Sequence, residues 1–322
     1  MGWVWGLGFR GGRAERLAED ADLAAIQTTY DYVWLHFALS DHRARRFLET
    51  FAPLPGAARE LLLSNETRLQ IYLTDPCAYG IFPDIEKDFA GETLGAGRLA
   101  FWLDARHLIT VRRHPLRIAD EVRGEAEAGS GIWLTPADLA VRLNERFVEV
   151  VEDRLAALTR SLDHIEDVVL SDRDDVDQAG LGPVRRELSR YHREFAALRG
   201  ALSRANNHKG HDTSACPLAP HLPGIAQAAE DFDRDAAALA DRARLLYEEM
   251  DTRIAARTNR SLSTLTILST LLLPPTFIAG AFGMNVPTIP WANSTGGFWF
   301  AVLLCVVVVG VSYAVLKRMR IL

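Results

Sequence analysis

Two long apolar runs occupy the C-terminal part of the chain. They cover residues 261–284 and 298–316, and no Asp, Glu, Lys, Arg or His occurs between residues 261 and 316. The intervening residues 285–297 are rich in Pro, Gly, Asn, Ser and Thr, which is typical of a loop. Because about 20 helical residues cross the roughly 30 Å hydrocarbon core of a bilayer, we predict two transmembrane helices joined by this loop. The alternative is a buried hairpin in a soluble core.

Basic residues flank both predicted spans, and the connecting loop carries no charge. The flanking residues are Arg253, Arg257 and Arg260 before the first span and Lys317, Arg318 and Arg320 after the second. Because positive charge collects on the cytoplasmic side of a membrane, we expect both termini in the cytoplasm. The loop 285–297 would then lie on the opposite side of the membrane and the tail 317–322 in the cytoplasm of a multi-pass protein.

Short apolar runs alternate with helical patterns over residues 1–135, which predicts a cytoplasmic α/β domain. Residues 91–97 and 123–131 are predicted to be loops. The predicted strands are 32–39, 69–73, 98–103 and 107–111, and the predicted helices are 42–51 and 55–63.

Beyond Trp133 the pattern becomes continuously helical. Thr135 and Pro136 predict a helix start, and a second helix opens at Pro183, so we expect a helical hairpin over residues 136–220. A third helix begins near residues 221–224 and has no stop signal before Pro274, so residues 221–260 form a stalk that continues into the first span. The whole third helix, stalk and first span together, has roughly 60 residues and would be about 90 Å long. A single helix of this length cannot bury an apolar stripe alone, which favours an oligomer. The fold class is therefore α+β with a hairpin, a stalk and two spans.

Composition narrows the function. The net charge of −6 argues against a nucleic-acid partner, and the three scattered cysteines predict no disulfide framework. We find no catalytic constellation and expect neither an enzyme nor a permanently bound cofactor.

The first span carries one stripe of residues spaced three or four apart, on one helical face. Small hydroxyls in such a stripe could hydrogen-bond a hydrated ion, and Leu262 and Leu273 could form apolar constrictions. Helix–helix packing also favours Ser, Thr and Gly and is the alternative. The predicted pore-lining residues are Asn259, Leu262, Thr266, Ser269, Leu273, Thr276 and Gly280.

The span ends in Gly283-Met284-Asn285. Gly283 allows a tight turn, and a ring of Asn285 amide oxygens could bind the water shell of a divalent ion. Together with the preceding Pro-Pro-Thr-Phe-Ile-Ala-Gly segment, this tripeptide resembles the pore-helix end of the CorA superfamily. The resemblance extends over the order of elements in the whole chain. It implies a homopentameric funnel whose stalk helices line an axial pore, with Gly283, Met284 and Asn285 selecting cations at its mouth.

The loop after Asn285 bears on the cargo. CorA magnesium transporters usually carry a Met-Pro-Glu-Leu-type loop, whereas residues 286–293 contain no acid. This loop looks more like the ZntB zinc-transporter branch. That resemblance implies zinc uptake with proton coupling across the bacterial inner membrane, with the loop 285–297 in the periplasm. The alternatives are a magnesium or cobalt channel and a membrane-anchored structural or sensory oligomer without ion flux.

A second group of residues has the chemistry of zinc ligands. Imidazole and thiolate groups cluster between the hairpin and the stalk, although their spacing matches no regular zinc motif. A regulatory metal site and a polar loop are the two interpretations. The residues are His208, His211, Cys216 and His221.

Overall fold

The computed structural model of the 322-residue chain describes residues 2–18, 23–87, 95–170, 178–207, 215–283 and 296–318. The chain divides into two compact units, Met1–Arg244 and Leu245–Leu322. A long helix begins in the first unit and ends in the second. The predicted α+β fold with a helical hairpin, a stalk and two C-terminal apolar helices is confirmed, whereas the finer division into domains stays a prediction.

A seven-stranded mixed sheet is the centre of the first unit. Its order is β2-β1-β3-β7-β6-β5-β4. Only the β3–β7 pair is parallel among the named strand pairs of the described residues. The strands are β1 (Trp3–Arg10), β2 (Arg13–Arg16), β3 (Tyr32–Ala38), β4 (Gln70–Thr74), β5 (Cys77–Glu86), β6 (Gly95–Leu103) and β7 (His107–Arg112).

Both faces of the central strand β3 are covered. Val33, Leu35 and Phe37 belong to a buried apolar cluster with α2 (His42–Thr50) and α3 (Gly56–Leu63). On the opposite face of β3, His36 stacks on Trp5, and the guanidinium of Arg123 lies 5.7 Å from the centre of the Trp5 ring. Arg123 belongs to α4 (Ile118–Glu127), so α4 lies on the second face of the sheet, where α5 (Pro136–Leu170) contacts β3. A short helix α1 (Leu23–Thr29) precedes β3.

The helix predicted to start at Thr135–Pro136 is confirmed as α5 (Pro136–Leu170). The Thr135 hydroxyl accepts a hydrogen bond from the Asp138 N–H, and the Asp138 carboxylate accepts one from the Thr135 N–H. This reciprocal cap satisfies two backbone donors that a helix start otherwise leaves without partners. The sequence signal and the observed boundary therefore have the same physical cause.

The remaining helices are α6 (Gln178–Asn207), α7 (Leu222–Gly283) and α8 (Gly297–Arg318). Aromatic contacts join α5, α6 and α7. The Phe195 ring is tilted against Phe147, with 6.0 Å between ring centroids, and stacks on Phe232 at 5.5 Å. Helix α6 begins before Pro183, which lies inside it. The predicted loop at residues 123–131 is partly wrong, because α4 continues to Glu127, and the predicted loop 91–97 is shortened by the start of β6 at Gly95.

Candidate functional site

The predicted pore stripe is exposed along α7. All seven of its residues are solvent-accessible in the single chain, and Leu262 and Leu273 have 57% and 71% of their surface exposed. Apolar side chains exposed to this degree are expected where a chain meets lipid or another copy of itself. The stripe residues are Asn259, Leu262, Thr266, Ser269, Leu273, Thr276 and Gly280.

A different face of α7 packs against α8. Cys305 Sγ lies 3.9 Å from the carbonyl oxygen of Pro275, and the Phe282 and Phe300 rings are 6.5 Å apart. At about 100° per residue, the centre of the pore stripe lies about 140° around α7 from the centre of the packed face. The stripe is therefore not the surface on which α8 packs. The half-buried residues that define this face are Ser263, Ile267, Thr270, Leu271, Pro274, Pro275, Ile278, Ala281 and Phe282, of which Pro275 and Phe282 contact α8.

The hydroxyls of the stripe are oriented by their own helix. Thr266 Oγ1 donates to the Leu262 carbonyl at 2.8 Å, and Thr276 Oγ1 donates to the Leu272 carbonyl at 2.7 Å. A threonine hydroxyl has one donor and two lone pairs, so the donated proton leaves the lone pairs as acceptors. These oxygens can accept hydrogen bonds from water, including the water shell of a metal ion.

Two adjacent prolines lie inside α7 between these threonines. Pro274 and Pro275 have no N–H, so the carbonyls of Thr270 and Leu271 lose their usual helical donors. The helix nevertheless continues to Gly283. Such interruptions are tolerated in membrane helices, where neighbouring groups can satisfy the freed carbonyls.

The predicted selectivity tripeptide is only partly within the described structure. Gly283 is the last residue of α7 and is exposed. A Cβ atom added at Gly283 would meet no other atom within 4 Å in the single chain, and the same holds at Gly280. Met284 and Asn285 lie outside the described residues, so their selectivity role stays a prediction.

The predicted histidine and cysteine site is likewise only partly described. Cys216 is buried, and burial raises the pKa of its thiol, which disfavours the thiolate that binds metals. His221 is half-buried at the start of α7, and His208 and His211 lie outside the described residues. Within the described ranges, no three His, Cys, Asp or Glu side chains form a group that could hold a metal ion.

Ion pairs that the sequence analysis does not single out connect the hairpin to α7. Arg242 of α7 contacts two acidic residues of α5, with Nη1 2.8 Å from Asp163 Oδ1 and Nη2 hydrogen-bonded to Glu166. Asp233 of α7 forms an ion pair with Arg199 of α6, with 2.9 Å between Oδ2 and Nε. None of these three ion pairs has a local sequence signal, because the partners are more than 30 residues apart in the chain.

Comparison with known proteins assigns the family. A sequence profile of the "CorA-like Mg2+ transporter protein" family matches residues 30–318. The chain belongs to the CorA family. Its members are channels and transporters, so the expectation that this protein is not an enzyme is confirmed. The two apolar helices are long enough to cross a membrane, and the protein is a divalent-cation transporter of the CorA family with two transmembrane helices.

Relatives within the CorA family are described as transporting different cations. "Divalent cation transporter CmaX" of Pseudomonas aeruginosa is 26% identical over 297 residues, which cover 89% of this chain and 87% of CmaX. "Zinc transport protein ZntB" of Pectobacterium atrosepticum is 23% identical over 295 residues, with the same coverage of 89% and 87%. The predicted superfamily is therefore confirmed, and ZntB proteins are among the relatives.

Solved structures of the CorA family share the fold. Full-length CmaX superposes with a TM-score of 0.81 at 25% identity, covering 99% of this chain and 98% of CmaX. The complete CorA magnesium transporter of Methanocaldococcus jannaschii gives a TM-score of 0.67 at 18% identity, covering 98% and 97%. At that identity the second likeness concerns the fold alone.

Proposed function

We propose that this CorA-family protein imports zinc across the bacterial inner membrane as a homopentamer, with the loop 285–297 in the periplasm and both termini in the cytoplasm. The observation that carries the proposal is the exposed stripe of α7, whose hydroxyl oxygens are acceptors and which lies away from α8. Five copies of this stripe around an axis would enclose a path lined by oxygen atoms and leucines.

The stripe suits a hydrated dication. It contains no carboxylate that would bind a dehydrated metal strongly, and its neutral oxygens can exchange hydrogen bonds with a moving water shell. Leu262 and Leu273 would form two apolar rings where the path can lose its water. Asn285 would supply the amide oxygens of the outer mouth, with Gly283 and Met284 setting the turn that presents them.

The loop after Asn285 supports zinc over magnesium. It lacks an acid, as does the entire sequence beyond Asp251, so no carboxylate ring would stand at the outer mouth. A relative described as a zinc transport protein covers most of the chain. Mg²⁺ is the second candidate for the transported ion, because the family whose profile matches the chain is described as a Mg²⁺ transporter family. Proton coupling would need groups outside the spans, since residues 261–316 have no Asp, Glu, Lys, Arg or His.

Uptake by purified protein in vesicles tests the proposal. Vesicles that contain a zinc-sensitive dye should show saturable Zn²⁺ entry that excess Mg²⁺ does not suppress, and an imposed pH gradient should change its rate. Suppression by Mg²⁺ would favour the magnesium channel, and absence of any ion entry would favour a sensory or structural oligomer.

One substitution tests the selectivity site. Asn285→Ala should abolish Zn²⁺ uptake, whereas Asn293→Ala, the same change in the same loop, should preserve it. Undiminished saturable uptake by Asn285→Ala would contradict the role of Asn285.

A further inference from the structure

The arginines at the start of the first span lie on the side of α7 opposite to the pore stripe. At about 100° per residue, Arg253, Arg257 and Arg260 centre about 180° around the helix from that stripe. Their centre lies about 40° around the helix from the centre of the half-buried face. Arg257 and Arg260 are exposed, and Arg253 is half-buried. If the stripe faces the pore axis, these three side chains point outward, toward lipid.

The end of α8 adds basic residues at the same level. The Phe282–Phe300 and Pro275–Cys305 contacts fix an antiparallel register between α7 and α8. Continued to the end of α8, this register places Lys317 and Arg318 beside residues 262–265 of α7, about one helical turn from Arg260. Leu316 is only 4% exposed, so packing holds this last turn of α8 in place, and Lys317 and Arg318 are exposed.

The charge of this region is strongly one-sided. Six basic residues and no acidic residue follow Asp251 in the sequence. Arg253 pairs with Glu249 at 2.6 Å, one turn earlier on the same face. Arg260, Lys317 and Arg318 have no acidic residue near them in the sequence, because Asp251 is the last acidic residue of the sequence and lies nine residues before Arg260.

From this geometry we infer that Arg257 and Arg260 of α7, with Lys317 and Arg318 of α8, form a binding site for the phosphate of an anionic phospholipid in the cytoplasmic leaflet. Arginine suits phosphate because its planar fork donates two parallel hydrogen bonds. Clusters of basic residues directly cytoplasmic of a membrane helix attract anionic lipids. The inference rests on the proposed membrane orientation and pore axis, and it adds a lipid ligand on the outer face of the transporter.

The lipid bound to the full-length protein provides the test. Protein purified in mild detergent is exchanged into equal amounts of phosphatidylglycerol and phosphatidylcholine, and the lipids retained per protein are counted by native mass spectrometry. The wild type should retain phosphatidylglycerol in excess. In the double variant Arg257→Gln with Arg260→Gln this excess should fall about 25-fold, because each basic residue near an anionic lipid contributes a factor of about five.

Two further variants control the experiment. Arg257→Lys with Arg260→Lys keeps the charge but loses the planar fork, so it should retain more of the excess than the glutamine variant and less than the wild type. Arg234→Gln makes the same change at an exposed arginine of α7, 26 residues before Arg260. It should leave lipid retention unchanged.

The inference is overturned if the wild type retains both lipids equally or if the glutamine double variant keeps its excess. It is also overturned if that variant loses thermal stability equally in the two lipids, because the arginines would then pair with protein carboxylates. Zn²⁺ entry into vesicles is measured separately. Lipid selectivity without ion entry would contradict only the proposed function, and ion entry without lipid selectivity would contradict only this inference.

Discussion

The Nε atom of Arg199 in α6 lies 2.9 Å from Oδ2 of Asp233 in α7, where the carboxylate is largely buried and the arginine is half-exposed. His192 Nδ1 lies 3.0 Å from the other carboxylate oxygen. A buried carboxylate is costly without a charged or hydrogen-bonding partner. This contact therefore makes the attachment of α7 to the hairpin depend on charge as well as on the stacked phenylalanines.

Arg199→Met should weaken that attachment. The methionine keeps part of the apolar stem but leaves Asp233 with one basic neighbour, which should cost about 1–3 kcal/mol, toward the lower end because solvent screens the exposed guanidinium. Thermal unfolding of the purified protein should show a melting temperature several degrees lower. Arg193→Met, at an exposed position of the same helix, is the control and should melt like the wild type.

Asp84 should make stability depend on pH. Its buried carboxylate accepts backbone hydrogen bonds from Ile118 and Ala119 at the start of α4, and burial raises its pKa from 3.8 to about 7. A raised pKa means that the folded state favours the protonated acid. The contribution of the protonated Asp84 carboxyl to the stability of the fold is thus fully present below about pH 4 and is lost as the pH rises through about 7.

Asp84→Asn removes this titration while keeping one oxygen as an acceptor. The melting temperature of the variant relative to the wild type should therefore rise between pH 5 and pH 8. Asp120→Asn is the control: burial alone would raise the pKa of Asp120, but its hydrogen bond and charge interaction with Lys87 lower it, so its titration falls below this range. A pH-independent difference for Asp84→Asn would show that its carboxyl is not the titrating group.

Thr276→Val should slow ion entry through the proposed pore. Valine has the same shape but removes the oxygen that can accept a hydrogen bond from a hydrated ion. A loss of about 1 kcal/mol corresponds to a roughly fivefold lower rate of Zn²⁺ uptake into vesicles.

Thr264→Val is a closely matched control for this change. The Thr264 hydroxyl makes the same kind of hydrogen bond, to the Arg260 carbonyl at 2.9 Å, but on the face of α7 opposite to the stripe. Its uptake should equal that of the wild type. Equal slowing by both variants would mean that the stripe does not define the conduction path.

Gly80→Ala should destabilise the sheet. An added Cβ in β5 would lie 2.2 Å from the carbonyl oxygen of Gln70 in β4, and such overpacking costs about 1–3 kcal/mol or more. Gly124→Ala in α4 meets open space and should stabilise the protein by about 0.5–1 kcal/mol, because alanine favours helices. Thermal unfolding should move in opposite directions for the two variants, and a matching decrease in both would contradict the steric explanation.

Sequence patterns predict the elements whose cause is local. The strand predicted at 107–111 is observed as His107–Arg112, and the helix start at Pro136 follows from the reciprocal cap of Thr135 and Asp138. Strand β5 (Cys77–Glu86) is not predicted, because it is buried on both faces, contains Gly80 and Pro83 and has no polar–apolar alternation. Its conformation depends on pairing with β4 and β6, which are set by the tertiary fold.

In the candidate site, too, features with a local cause are predictable from the sequence and features that depend on tertiary contacts are not. The stripe on α7 is predictable because helical periodicity alone places its residues on one face. The contacts of Arg242 and Arg199 are not, because each partner comes from a distant part of the sequence. The distance between α7 helices of different chains, which would fix the width of a pore, depends on contacts outside a single chain.

Gly280 has a consequence for assembly. In the single chain, a methyl group at this exposed position would touch nothing within 4 Å, and alanine would favour the helix by about 1 kcal/mol. The isolated protein therefore gains nothing from this glycine and is slightly weakened by it. If the glycine has a structural purpose, it is room for a neighbouring helix or for water to pass. Alanine at this position would then stabilise the separate subunit while impairing the assembled transporter.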